Sequence, residues 1–355
     1  MNTVANFQIG YTQYLDESAK VQGTLPKFAG DPESLHAMYR AMVLTRIFDK
    51  KAVSLQRTGK LGTYPSSLGQ EAISVAVGSV MEADDVLLPY YREYGAQFLR
   101  GVKLEEILLY WGGDERGMNY QVPTRDFPIC VPIATHAPQA VGVAYAMKLR
   151  NEARAAVFVC GDGATSKGDF YEAINAAGLW KLPVVFVVNN NQWAISVRRE
   201  IQTGSETIAQ KAIAAGFDGE QVDGNDVIAV RDRFQAAIDK ARNGDGPTLL
   251  EAITYRLCDH TTADDASRYR SEDELNDHWQ REPIARLKQY MTAQGMWDEA
   301  QEQALAKECS QTVEQAVDVY LNTPTQPIES MFDYMYESVP HDLKQQRQSV
   351  QGKGK

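Results

Sequence analysis

Residues 155–196 read AAVFVCGDGATSKGDFYEAINAAGLWKLPVVFVVNNNQWAIS, and this stretch decides the fold. Ala155 to Cys160 is an unbroken apolar run, the form expected of a parallel strand buried on both faces. It stops at Gly161-Asp162-Gly163. A helix is predicted from Asp169, where Glu172 three residues on completes a capping-box pattern, through Ala176 and Ala177 to about Trp180. Pro183 to Val188 is the next apolar run, followed by Asn189-Asn190-Asn191. Strand, helix and strand in this order imply a right-handed crossover and parallel pairing.

Ligands of open parallel sheets sit beyond the carboxyl ends of the strands. Asp162 supplies a carboxylate at one such end, and Asn191, about 30 residues on, supplies an amide oxygen at the next. The glycines around Asp162 let backbone approach a ligand closely, and the following helix turns its N-terminus to the same place. Both features suit a diphosphate held with a magnesium ion. Taken alone, Gly-Asp-Gly is a strand-to-helix turn and the asparagine run a loop. The pair, each directly after a buried strand, points to a site.

Outward from this core, Asp31-Pro32 opens a helix carrying Leu35, Met38, Tyr39 and Met42 at helical spacing, closed by Gly59 and Gly62. A second helix is predicted from Gly69 to Val80. Residues 84–95 read as a short strand running into a polar turn, and residues 112–127 as a mobile surface loop. Asp223-Gly224-Asn225-Asp226 opens a helix to about Arg242, and residues 248–257 form a further strand. Ser271 and Glu274 make another capping box, after which amphipathic helices run to about Leu321 with a break at Gly295. The expected organisation is an extended arm over 1–30, an α/β domain over 31–270, a helical part over 271–345 and a frayed tail over 346–355. The fold class is α/β, a mostly parallel sheet with helices on both faces plus C-terminal helices.

The chain has 355 residues, 47 acidic and 36 basic, for a net charge of −11. No stretch concentrates enough Lys and Arg to neutralise a row of phosphates, which argues against nucleic acid. No apolar run reaches the roughly 18–20 residues of a membrane span, and the first residues carry no secretory or transit pattern. A cytoplasmic location is expected. Cys130, Cys160, Cys258 and Cys309 are scattered, with no CxxC pair, as expected of reduced buried thiols and not of a disulfide framework or zinc site.

The block GDG, about thirty residues, then NN is similar to the thiamine diphosphate motif. Residues 161–196 closely resemble the alpha subunit of the heterotetrameric 2-oxo acid dehydrogenases, the decarboxylating components of the pyruvate, branched-chain 2-oxo acid and acetoin dehydrogenase complexes. The likeness spans about Asp31 to Tyr290. Its other blocks are GKLGTYPSSLGQEA, YYREYG, PIATHAPQAVGVAYAMK and DHTTADDASRYR, in family order.

The resemblance implies thiamine diphosphate and magnesium as cofactors. It implies that Asp162, the side-chain oxygen of Asn191 and the backbone carbonyl of Trp193 hold the metal. Gly163 and Ala164 would offer N–H groups to the diphosphate, with Tyr91 and Arg92 reaching it from the second block. Ile133 matches the position whose backbone meets the aminopyrimidine, and Tyr64 and Ser67 would stand in the substrate wall. His260 is placed near the diphosphate and the reacting carbon, where it could hydrogen-bond developing charge or move a proton. His36, His278 and His341 read as helix-surface residues. The implied partners are a beta subunit, giving an alpha-two beta-two tetramer, the lipoyl-bearing acyltransferase component, and a small 2-oxo acid. Pyruvate stands ahead of 3-methyl-2-oxobutanoate, with acetoin third. A chain that has lost its cofactor and serves as a scaffold is the rival of another class, and a plain nucleotide-binding module lacks its signature here.

Three departures mark this chain. Many relatives carry a histidine in the loop at 114–120, which here reads DERGMNY, leaving Arg116 or Tyr120. The potassium site of branched-chain relatives uses Ser and Gln where this chain has Cys130 and His136. Mitochondrial pyruvate-type relatives have a histidine near Pro65. Residues 260–270 also resemble a segment that is phosphorylated in mitochondrial relatives; Ser267 stands there, and a cofactor-ordered loop is the plainer reading.

Overall fold

In the computed structural model, which describes residues 1–351, six parallel strands form one sheet in the order 11–12, 218–223, 248–253, 184–190, 156–161 and 86–88. In chain order the elements begin with β1 (Tyr11–Thr12), α1 (Pro32–Arg57), α2 (Glu71–Val80) and β2 (Val86–Leu88). There follow α3 (Tyr94–Leu99), α4 (Leu104–Trp111), α5 (His136–Leu149), β3 (Ala156–Gly161), α6 (Gly168–Trp180) and β4 (Val184–Asn190). A small hairpin, β5 (Trp193–Ala194) with β6 (Val197–Arg198), leads to α7 (Arg199–Gln202), α8 (Lys211–Ala214), β7 (Asp218–Asp223), α9 (Val227–Arg242) and β8 (Thr248–Ile253). The C-terminal helices are α10 (Glu272–Trp279), α11 (Pro283–Ala293), α12 (Glu299–Asn322), α13 (Ser330–Asp333) and α14 (His341–Val350). None of the described helices is long and apolar enough to cross a membrane.

The runs Ala156–Cys160 and Val184–Val188 are apolar throughout because both faces are covered. Val157, Val159, Val185 and Val187 face a core shared with α1, α2, α9 and the C-terminal helices. Ala156, Phe158, Cys160, Val184, Phe186 and Val188 face a second core against α5, α6 and α8. Phe158 packs edge-on to Phe186 there, at 5.6 Å between ring centroids. Asp31 caps α1 by accepting from the backbone N–H of Glu33 and Ser34, with Pro32 at the first helical position. Ser271 caps α10 through the N–H of Glu274, and the break at Gly295 falls between α11 and α12, with φ at +70°.

Several sequence expectations are corrected. Asp162–Ser166 wind into a 3-10 turn, and α6 starts at Gly168 without a side-chain cap, so the Asp169–Glu172 capping box does not form. The strand predicted over 248–257 leaves the ladder after Ile253, where Thr254 and Arg256 donate instead to the carbonyls of Asn190 and Asn191. Residues 218–223, too polar to announce a strand, form β7 beside β8. The arm is not all free, because Tyr11–Thr12 pair with β7 and Leu15 is buried. The polar turn after the short strand forms at Tyr91 and Arg92, but Tyr94 and Gly95 already belong to the helix α3. The loop at 112–127 is pinned: Tyr120 is buried against Gln97, and Asp126 pairs with Arg100 with both side chains 3% exposed. Residues 346–350, expected to fray, continue the exposed helix α14, and the last four residues lie outside the described range.

Candidate active site

β3 and β4 are neighbours in register, so the residues after them emerge side by side. Asp162, first in the turn after β3, is 1% exposed, and its Oδ2 has no hydrogen-bond partner among the described residues. Burial pushes its carboxyl up to about 6, against the donation of backbone N–H groups. A buried, unpartnered carboxylate oxygen is costly unless something occupies it. Asn191 stands at the matching place after β4. Its Nδ2 donates to Gln70 Oε1 at 3.0 Å, which fixes the amide, and among the described residues its Oδ1 accepts only from the N–H of Trp193, at 3.2 Å. Asp162, Asn191 and Trp193 line one cavity of about 190 Å³. Carboxylate, amide oxygen and backbone carbonyl are all hard oxygen donors, and such a set fits magnesium. Gly163 lies so close under the β5–β6 hairpin that a Cβ there would stand 2.8 Å from Ala194 Cβ. Side-chain-free backbone is therefore required where N–H groups would face a diphosphate. Ala134 and Ile195, lining the same cavity, hold φ of 62° and 57°, backbone strain of the kind that collects at ligand sites.

The opposite wall carries His260. Arg92, 2% exposed, donates through Nη2 to His260 Nδ1 at 3.1 Å and to its carbonyl at 2.7 Å, and through Nη1 to the Ser66 carbonyl. Arg256 Nη1 also points at His260 Nδ1, at 3.4 Å. A guanidinium only donates, so Nδ1 is the acceptor and the ring's proton sits on Nε2. Burial first, and then the two cations, pushes the imidazole down to about 3. His260 is thus a neutral N–H donor near neutral pH. It is not an imidazolium acid. Tyr91 packs edge-on to its ring at 6.2 Å. Ile133 is exposed on the cavity side, and a second, apolar cleft of about 350 Å³ lies next to it, lined by Thr63, Pro65, Trp111 and Val131 and sharing Tyr91, Ile133 and His260.

The structure brings Tyr91, Arg92, Ile133, Asp162, Gly163, Ala164, Asn191, Trp193 and His260 around one space. It does not bring Tyr64 and Ser67 there. Tyr64 is fully buried with its hydroxyl on Asp49 Oδ1 at 3.1 Å, and the Ser67 N–H meets the same oxygen at 2.7 Å. Both are turned inward by a buried carboxylate, and their neighbours Thr63 and Pro65 face the cleft. Arg116 pairs with Asp114 on the surface, and Tyr120 bonds Gln97, so neither takes the place of a loop histidine. Cys130 Sγ donates to the Pro132 carbonyl, and buried His136 bonds the Val159 carbonyl through Nε2 at 2.8 Å. His36 and His278 are packed and not free on helix surfaces. His36 bonds the Met296 carbonyl, and His278 stacks on Tyr255 at 3.7 Å.

Sequence reasoning missed Gln70, Tyr90 and Arg256. Gln70 accepts from Asn191 and Tyr90, and Tyr90 accepts from Asn189. Arg256 ties His260 to the hairpin through the carbonyls of Trp193 and Ile195. A charged residue inside the apolar run 248–257 is the signal that marks it.

A parallel α/β chain with an oxygen-lined pocket beyond the carboxyl ends of its central strands has the layout in which α/β proteins bind ligands. The chain is a member of the dehydrogenase E1 component family, whose model matches residues 39–329. It is similar to pyruvate dehydrogenase E1 component subunit alpha of Staphylococcus aureus (strain Mu50 / ATCC 700699), at 37% identity over 97% of this chain and 93% of the relative. It is 40% identical to the protein of that name from Acholeplasma laidlawii, over 92% of this chain and 94% of the relative. The Bacillus subtilis (strain 168) protein of that name is 37% identical over 94% and 90%.

Proposed function

We propose that this chain is the alpha subunit of a pyruvate dehydrogenase decarboxylating component that works with thiamine diphosphate and magnesium. The observation that carries the reading is the buried, unpartnered Oδ2 of Asp162 beside Asn191, on a cavity that Gly163 also lines. Family membership and the relatives' names support pyruvate as the substrate. Nothing favours the branched-chain alternative.

Asp162, the Asn191 side chain and the Trp193 carbonyl would hold the metal, and the N–H groups of Gly163 and Ala164 would hold phosphate oxygens. When bound, thiamine diphosphate supplies a carbon that adds to the 2-oxo group and accepts electrons as carbon dioxide leaves. Arg92 and Arg256 hold His260 so that its Nε2–H donates to an oxygen gaining negative charge in the neighbouring cleft. A beta subunit would complete the site. Support for a covering partner comes from α5 and α6, where Tyr145 and Trp180 are exposed with their ring centroids 5.2 Å apart, and Leu149 and Leu179 are exposed as well. The acyl group would pass to a lipoyl arm of the acyltransferase component.

The test is co-expression with the beta subunit and an assay of pyruvate against 3-methyl-2-oxobutanoate, with and without thiamine diphosphate and magnesium. Cofactor-dependent turnover with pyruvate preferred supports the reading. Preference for the branched substrate overturns the substrate assignment, and a tetramer that binds no cofactor overturns the enzyme assignment.

A further inference from the structure

Lys211 is a buried cation without a carboxylate. It opens the short helix α8 and is 5% exposed. Among the described residues no acidic side chain lies in ion-pair reach of it. Its Nζ donates to the carbonyl of Thr165 at 2.8 Å and to Thr165 Oγ1 at 3.0 Å. It also sits over the Tyr171 ring at 5.1 Å. Thr165 Oγ1 donates in turn to the carbonyl of Asp162 at 2.8 Å. The ammonium thus grips both ends of the turn Asp162–Ser166, directly at Thr165 and through the hydroxyl at Asp162.

That turn carries three groups of the site: the Asp162 carboxylate and the N–H groups of Gly163 and Ala164. Those residues line the cavity, whereas Thr165 and Lys211 do not. Lys211 therefore works from behind the turn. A buried ammonium facing only neutral oxygens and a ring is expensive by itself. Its position is favourable when negative charge gathers on the far side of the turn, where its field adds to that of the N–H groups. An alkyl residue of similar length would pack the same space but hold nothing.

We propose that Lys211 is a positioning residue for diphosphate binding: it locks the Asp162–Ser166 turn in the shape that aims the carboxylate and the two amides, and lends the site its charge. This rests on the cofactor reading above. The test uses the full chain co-expressed with the beta subunit, in wild-type, Lys211→Met, Lys211→Arg and Thr165→Val forms. Binding of thiamine diphosphate with magnesium is followed by quenching of tryptophan fluorescence, since Trp193 lines the cavity. Hydrogen exchange of the amides at 162–166 is measured without cofactor.

Lys211→Met is expected to weaken cofactor binding roughly tenfold or more and to speed exchange in the turn, with the melting temperature of the cofactor-free protein little changed. Lys211→Arg is expected to recover most of the affinity, and Thr165→Val to fall between. Wild-type affinity in Lys211→Met overturns the proposal, as does unchanged exchange in the turn. If Lys211→Met lowers the melting temperature sharply and Lys211→Arg restores stability but not binding, the role is structural and the proposal fails. If the wild-type protein binds no thiamine diphosphate, the cofactor reading fails, and the exchange data still decide whether Lys211 holds the turn.

Discussion

Asp162 and Asn191 hang from the ends of two central strands, whereas His260 and Tyr64 come from segments that have no ladder of their own. The first pair inherits its place from the β3–β4 register, six matched pairs with Gly161 opposite Asn189 at the end. The second pair is placed by side chains: Arg92 and Arg256 on His260, Asp49 on Tyr64 and Ser67. The two loop segments also pin each other, Thr262 N–H on the Tyr64 carbonyl and Tyr64 N–H on Thr262 Oγ1, each at 3.0 Å. One wall is fixed by backbone. The other is fixed by a few buried polar atoms and is correspondingly easier to disturb.

The largest expected effect falls on the backbone-built wall, where only the side chain can be removed. Asp162→Ala takes away the one carboxylate among the proposed metal ligands. It should weaken magnesium-dependent cofactor binding by at least about 100-fold. It should not destabilise the cofactor-free protein, because it deletes a buried group whose charged form is disfavoured there. Titration calorimetry and thermal melts would check both. A cofactor affinity close to wild type would remove Asp162 from the site.

On the loop-built wall, Arg92→Ala should lower kcat/KM roughly 100-fold with a smaller change in cofactor affinity, because it frees His260 from its strongest donor. Arg92→Lys should rescue little. A single ammonium cannot reach the Ser66 carbonyl, His260 Nδ1 and the His260 carbonyl as the guanidinium does. A loss of cofactor affinity as large as the loss of kcat/KM would mean that Arg92 acts on the cofactor and not through His260.

The walls should also differ in their response to pH. In the metal-free protein Asp162 titrates near 6, raised by burial. Magnesium must displace that proton, so affinity should fall about tenfold per unit below pH 6 and level off above it. His260, lowered to about 3, keeps one protonation state over the whole of that range. A pH profile of cofactor binding should therefore lose its break in Asp162→Asn and keep it in His260→Gln. A break that follows His260 instead would reverse the assignment of the titrating group.

This contrast also explains what could be foreseen. The apolar runs at 155–160 and 183–188 announce themselves, and whatever follows them must lie at one edge of the sheet. That is why Asp162 and Asn191 are legible without any coordinates. The direction of a side chain on an irregular segment depends on buried partners far off in sequence. Tyr64 turns inward because Asp49, on α1, is waiting for its hydroxyl. Nothing local in TYPSSLG distinguishes Tyr64 from Thr63 or Pro65, which turn the other way. Strand β7 is hidden for a related reason: DGEQVD has only Val222 and Asp223 buried, and pairing with β8 supplies the order that its composition does not.

The smallest effect is the one that tests this last point. Tyr64→Phe removes a hydroxyl that donates to Asp49, and Asp49 keeps its bonds from Ser66 and from the N–H of Ser67. The expected cost is about 1 kcal/mol of stability, the worth of one ordinary hydrogen bond. The ratio of kcat/KM for pyruvate over 2-oxobutanoate should stay within about twofold of wild type, since the ring stacks on Tyr94 and does not face the cleft. Val131→Ala, at the cleft surface, should move that ratio several-fold toward the larger substrate by opening apolar space. If Tyr64→Phe shifts the ratio and Val131→Ala does not, the substrate meets the wall at Tyr64 after all. The inward turn imposed by Asp49 would then be a feature of the chain alone that docking of the beta subunit undoes.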